Sequence, residues 1–338
     1  MSRRGTFARL VVAWVGAVGA GAPLHGQAPA QGGLDPALRD AFARFDAGDR
    51  DAARAAVEAL AAAKRADPGY TMLVGTLWLM RAEWKQAEPH VRAALQKLPD
   101  FAPAHNALAV VLLQTSRPEE AEKVLRPAVA RFAADPVFGE LAFHLAMACA
   151  MVNKRLEASD WFEKAIALSP GNAINHFSLA ENELNLHRLE RAEQSFRRAM
   201  ELDPPHPDAR WKLAVTLAEA GRPADAEPLF AAALSSGPPK SRLSAAYRFG
   251  VFLFERERHA EALPLLQSVT KGKPDDRMAW NYQARTLRAL GRKEEAAAAL
   301  VRYRELQAAA DRDENEFLLS LIRDKLAPPD GKVVPERG

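Results

Sequence analysis

The sequence predicts an all-α protein, a right-handed α-solenoid of about eight helix-turn-helix repeats with a C-terminal capping helix. Three observations carry this. An alanine returns at Ala53, Ala87, Ala121, Ala158, Ala192, Ala226, Ala262 and Ala296, at steps of 34, 34, 37, 34, 34, 36 and 34 residues. A period near 34 belongs to two-helix repeats stacked in one dimension. Twelve residues ahead of each alanine stands a second small residue: Ala41, Gly75, Ala109, Ala146, Ala180, Ala214, Gly250 or Ala284. Hydrophobic residues make up 48% of the chain and aromatics only 7%, a mix that suits helices packed closely through small side chains.

The chain opens on an address rather than a repeat. Arg3, Arg4 and Arg9 precede an apolar run from Leu10 to about Leu24, which is followed by small residues. The run is too short and too rich in glycine for a comfortable membrane span. Residues 1–30 therefore read as an export signal, with Ala28-Pro29-Ala30 placing cleavage before Gln31. An uncleaved anchor is the alternative, and both put the body of the protein outside the cytoplasm, in the periplasm or secreted. Those three arginines are the only Lys, Arg, Asp or Glu in the segment. The remaining 43 basic residues match 43 acidic ones, so charge gives no argument for a nucleic-acid partner.

After a linker at 31–34, the repeats occupy 35–310. Four residues after each recurring alanine the chain is apolar throughout: Val57, Val91, Leu125, Phe162, Phe196, Phe230, Leu266 and Leu300. Two antiparallel helices approach to roughly 8–10 Å only where the crossing side chains are small. The two small positions supply that crossing, and the large apolar position fills the space between repeats. Gly48, Gly221 and Gly291 fall at the turn inside a pair, where a left-handed backbone is needed. Pro99, Pro170, Pro204, Pro238 and Pro274 close five of the repeats. Pro89, Pro127, Pro228 and Pro264 lie within second helices, in or near the first turn, with Pro127 placed to kink its helix. Extra residues near Ala133-Ala134-Asp135 and Pro238-Pro239-Lys240 should loop out or alter the local pitch.

These patterns resemble the tetratricopeptide repeat family, and specifically exported bacterial members of it. The resemblance rests on the small–small–aromatic–small spacing, as in Ala146, Ala158, Phe162 and Ala165, on the Leu before the first small residue (Leu108, Leu145, Leu179, Leu213) and on the closing Leu168-Ser-Pro170 and Leu202-Asp-Pro204. It departs at Asp40, where Leu is expected, and in the family's early Trp, present in phase only as Trp280.

In that family the first helix of each pair lines the concave face. Carried over, the resemblance implies partner-binding positions at Met72, Phe143, Met147, Phe177, Trp211, Tyr247, Val251 and Phe254. Phe143, Phe177, Trp211 and Tyr247 are four consecutive aromatics at the fifth position of the first helix. Two readings stay open: an apolar groove for a partner segment, or aromatics packed on neighbouring helices. The resemblance implies a non-catalytic scaffold for a protein or peptide in an envelope assembly, secretion or export complex. Peripheral envelope association and oligomer formation are compatible with it, and a self-associating structural subunit is the alternative.

Beyond the repeats, Phe317, Leu318, Leu321, Ile322 and Leu326 form a helical apolar stripe, read as a capping helix over 311–326. Residues 327–338 read as a disordered tail. No motif for metal, phosphate, dinucleotide or calcium binding is present, so no cofactor, metal or catalytic residue is assigned. The one cysteine, Cys149, excludes an internal disulfide and reads as a small buried hydrophobe among Leu145 to Met151.

Overall fold

Three positions in each repeat decide how its helices meet, and the structure, a computed structural model, places all three as the spacing requires in the repeats where it describes them. It describes residues 83–134, 137–206 and 208–326, with seven helical positions between Arg44 and Leu79; over 313–326 it describes the backbone alone. The export signal, the linker, most of the first repeat, Met72 and the tail from 327 lie outside the described residues. Every regular element among the described residues is an α-helix, and none is long and apolar enough to cross a membrane.

The chain divides into two compact units at Leu202/Asp203. The first holds α1 (Trp84–Lys97), α2 (Ala102–Gln114), α3 (Pro118–Arg131), α4 (Phe138–Met151), α5 (Arg155–Leu168), α6 (Ala173–Asn185) and α7 (Leu189–Leu202). The second holds α8 (Ala209–Glu219), α9 (Pro223–Ser235), α10 (Pro239–Glu255), α11 (His259–Gly272), α12 (Arg277–Ala289) and α13 (Lys293–Leu326). In each unit every helix packs on the next. First helices also meet first helices: α2 on α4 and α4 on α6 in the first unit, α8 on α10 and α10 on α12 in the second.

The small residues sit at the crossings. Ala109 and Ala121, Ala146 and Ala158, Ala180 and Ala192, and Ala214 and Ala226 are all fully buried. The two glycines at the first-helix position show what sets this size. A Cβ on Gly75 would lie 2.9 Å from Val91 Cγ2, and one on Gly250 would lie 3.0 Å from Leu266 Cγ and Cδ2. The large apolar residue of the second helix therefore presses directly on the small residue of the first. Phe162, Phe196 and Phe230 occupy that pressing position and are essentially buried, each worth about 1.5–3 kcal/mol of apolar burial.

One turn geometry joins the helices of every described pair. The residue seven after the first small position has a left-handed backbone: Ser116, Asn153, His187, Gly221, Glu257 and Gly291, with φ between 55° and 75°. The next residue closes a six-to-one hydrogen bond in each case, from Arg117, Lys154, Arg188, Arg222, Arg258 and Arg292 to the carbonyl five residues back.

Pro89, Pro228 and Pro264 lie one turn deeper than the sequence suggests, at the sixth residue of α1, α9 and α11, and face solvent. The extra residues at 238–240 do not loop out. They lengthen α10 at its start to 17 residues, against 11–14 for the other described first helices. Residues 311–326 continue α13, a single helix of 34 residues, because no Gly or Pro interrupts the sequence before Pro328.

Candidate functional site

The first-helix face differs in kind between the two units. In the first unit it is closed by side chains of its own. Asn106 of α2 is fully buried; it donates to Glu140 Oε2 of α4 at 2.7 Å and accepts from His144 Nδ1 at 2.6 Å. Phe143 meets Phe162 of its own pair edge-on at 5.8 Å, and Phe177 meets Phe196 in the same way at 5.7 Å. Both are half-buried and engaged with the pair's core. Met147 packs on the same core cluster as Phe143.

A second polar joint lies deeper. Glu183 of α6 is fully buried at a position that Leu112, Leu217, Leu253 and Leu287 fill in other repeats. Ser159 of α5 donates to Glu183 Oε1 at 2.5 Å. Asn182 donates to Ser159 Oγ at 2.9 Å and to the Arg155 carbonyl at 2.8 Å. Glu183 Oε2 has no hydrogen bond and stands 3.6 Å from Arg188 Nη1 and Arg191 Nε.

In the second unit the corresponding face is aromatic and basic. Tyr247 and Phe254 of α10 both meet Tyr282 of α12 edge-on, at 6.1 and 5.6 Å. The Arg285 guanidinium lies 4.7 Å from the Phe254 ring and 5.2 Å from the Tyr282 ring, and Arg248 lies 5.8 Å from Tyr247. All three rings are half-buried, and so is Val251, between Tyr247 and Phe254 on α10. Burial holds the Tyr247 hydroxyl above its ordinary pKa, and Tyr282 adds to the shift. Trp211 of α8 donates its indole N–H to Asp208 at 2.9 Å, with Lys212 4.6 Å over the ring. The four expected aromatics thus fall two in each unit, Phe143 and Phe177 in the first and Trp211 and Tyr247 in the second. Tyr282, one residue past the fifth position of its helix, was not singled out by the pattern.

A charge ladder also escaped the sequence reading, although its signal was there. The residue after every left-handed turn is basic. Arg117 reaches back to Glu88 at 2.8 Å and forward to Glu120 at 2.5 Å; Arg258 does the same with Glu227 and Glu261, both at 2.7 Å. Lys154 reaches Glu122 at 2.6 Å, and Arg126 bridges Glu122 to Glu157 at 2.5 and 2.8 Å. The carboxylates of Glu122 and Glu157 are held below their usual range, chiefly by Lys154 and by Arg126 respectively. Their oxygens and Cys149 Sγ lie within 4.8 Å of one another. That trio does not offer a metal centre: both carboxylates are taken by Arg126 and Lys154. Burial, with Glu157 and Glu122 nearby, pushes the thiol up to about 11, so it stays protonated.

Residues 141–307 match the family model of the cilia and flagella-associated protein 70 middle TPR-like domain, and residues 79–142 match a tetratricopeptide repeat model. This stretch is a run of tetratricopeptide repeats. The chain is similar to the crystal structure of the APC/C hetero-tetramer Cut9-Hcn1, with a TM-score of 0.62 at 15% identity over 75% of this chain and 49% of that one. It is similar to PilF of Pseudomonas aeruginosa, with a TM-score of 0.54 at 20% identity over 64% of this chain and 97% of that one. It is also similar to the human IFIT1 dimer with PPP-AAAA, with a TM-score of 0.53 at 16% identity over 80% and 72%. The chain thus spans about half the length of the Cut9-Hcn1 chain it matches, and at these identities the likeness is one of fold. A comparison with curated proteins gives no match. Tetratricopeptide repeats are protein-interaction scaffolds and are generally non-catalytic.

Proposed function

We propose that the protein is an exported scaffold that holds a segment of a partner protein on its first-helix faces, as part of an envelope assembly, secretion or export complex. The α10–α12 face is its principal contact surface. The observation that carries this reading is the cluster of Tyr247, Phe254 and Tyr282 beneath Arg285. It joins half-buried rings to a cation that has no carboxylate partner among the described residues. Such a surface offers apolar area, stacking and charge to an incoming chain. Phe143 and Phe177 contribute less, because each is already spent on a phenylalanine of its own pair. Export rests on the sequence of residues 1–30.

A crosslinking pull-down from the native envelope fraction tests both halves. The wild type is compared with a chain carrying Tyr247→Ala, Phe254→Ala and Tyr282→Ala, and with one carrying Phe143→Ala and Phe177→Ala, after circular dichroism confirms folding. The triple variant should lose the captured partner and the double variant should retain it. Equal capture by all three would remove the first-helix face as the binding surface. Recovery of the protein only from the cytoplasm would remove the export reading.

A further inference from the structure

The last pair of helices has a groove that the repeat architecture fills elsewhere. In the second unit α10 packs on both α8 and α9, and α12 packs on both α10 and α11, so each pair receives the next first helix. The pair α12–α13 receives none among the described residues. The space left is a groove of about 440 Å³, with Ala284, Ala296, Ala297 and Leu300 along it and Arg288 and Lys293 at its edge. Arg288 and Lys293 are exposed and form no ion pair among the described residues, whereas Arg258 and Arg292 nearby are each paired with a glutamate.

The same chain carries a segment of complementary character. The other described second helices have 13 or 14 residues; α13 has 34, an overrun of about 30 Å at 1.5 Å per residue. In sequence the overrun opens on Asp311, Asp313, Glu314 and Glu316 against Arg312, continues as the apolar run of Phe317, Leu318, Leu321 and Ile322, and ends with Arg323, Asp324 and Lys325. Because α13 is continuous, this segment travels away from its own groove and does not turn back over it.

We propose that the α12–α13 groove receives the 307–326 segment of α13 from a second copy of the chain. An amphipathic helix laid in an apolar groove buries both apolar surfaces, and the acidic run is placed against cations that lack partners. A reciprocal exchange closes as a twofold dimer, in which each copy supplies one groove and one helix. The groove meets the Tyr247–Phe254–Tyr282 face at Arg285, which lines both. The groove variants below leave Arg285 and the three rings in place, so loss of the dimer with partner capture retained, or the reverse, tells the two associations apart.

Sedimentation of the purified protein over a concentration series tests it, with circular dichroism of each variant. The wild type should dimerise. R288E/K293E should weaken the dimer about tenfold or more, as should A297R, which adds bulk at an exposed groove position. Adding D313K/E314K/E316K to the R288E/K293E chain should restore association, and raised salt should weaken the wild-type dimer. A wild-type monomer at every concentration overturns the proposal, as does a dimer indifferent to either folded groove variant. Should R288E/K293E not fold, A297R carries the test. A folded charge-swapped chain that stays monomeric removes 307–326 as the occupant.

Discussion

The two units share one repeat skeleton but join their first helices by opposite chemistry. The described first helices of the first unit, α2, α4 and α6, carry three glutamates and no Lys or Arg. They meet through buried polar groups: Asn106 with Glu140 and His144, and Glu183 and Asn182 with Ser159 of the neighbouring second helix. Those of the second unit, α8, α10 and α12, carry eight Lys or Arg against two glutamates, and α10 meets α12 through rings. Small-residue crossings set the spacing in both units. They leave the outer part of the first helix free to be spent on internal cohesion in one unit and on an open, charged aromatic surface in the other.

This difference should appear first in stability. Ser159→Ala removes the donor to a fully buried carboxylate and should cost the first unit about 3 kcal/mol in urea unfolding. Pairing it with Glu183→Leu restores the leucine that four other repeats hold there, and should recover most of the loss. If the double variant is no better than the single one, the cost lies in the hydroxyl's packing and not in the stranded carboxylate. The matching change in the second unit, Tyr282→Ala, should cost only about 1–2 kcal/mol, because the ring is half exposed and its edge-on contacts are modest.

Acid should separate the units next. Burial raises the Glu88 carboxyl, but hydrogen bonds from Arg117 and Arg92 prevail, and its pKa is held below the ordinary value. Glu120, Glu122 and Glu157 are held low by their arginine and lysine partners. Between the lowered folded value and the ordinary unfolded one, the unfolded chain binds more protons. The stabilisation is therefore complete above about pH 4.5 and is lost as pH falls through the folded values. These groups all belong to the first unit. Among the described residues of the second only Glu261 is held low, and it is exposed. Hydrogen exchange at pH 6 and pH 3.5 should show α1–α5 losing on the order of 1 kcal/mol more protection than α9–α12, after discounting for solvent screening. Equal losses would mean that the charge ladder is decorative.

Much of this skeleton was legible in the sequence, and the limits were physical. The crossings could be read because volume is a strict constraint: the clash of a Cβ at Gly75 with Val91 explains why even alanine gives way to glycine there. The aromatic stripe could be read as a residue class but not as a set of contacts. An edge-on partner is offered to Phe143 by Phe162 and to Phe177 by Phe196, while the pair of Tyr247 offers only Leu266, and Tyr247 turns to Tyr282 instead. The position of Glu183 was opaque for a different reason. A carboxylate in a leucine site is compensated there by Ser159, 24 residues earlier, which donates to it, and by Arg188 and Arg191 at its other oxygen, and no local pattern announces that. The C-terminal stripe announced a helix, but not whether a turn would separate it from residues 293–310.

The smallest effect tests the feature that both units hold in common. Sequence marked Gly221 and Gly291 as left-handed turn residues, yet Ser116, Asn153, His187 and Glu257 adopt the same backbone. The six-to-one hydrogen bond after each turn and the stacking of the next helix impose it, whatever the side chain. A non-glycine residue in this region is strained by about 1–2 kcal/mol, and glycine returns part of that as unfolded-state entropy. Glu257→Gly and His187→Gly should therefore each stabilise their unit by about 0.5–1 kcal/mol, while Gly221→Ala and Gly291→Ala should destabilise by about 1 kcal/mol. Glu257 and His187 should gain alike, since neither side chain makes a hydrogen bond across its turn among the described contacts. Urea midpoints that move down for the glycine variants would show that these side chains stabilise the turn by more than the strain they carry, and that turn geometry is specified differently in the two classes of repeat.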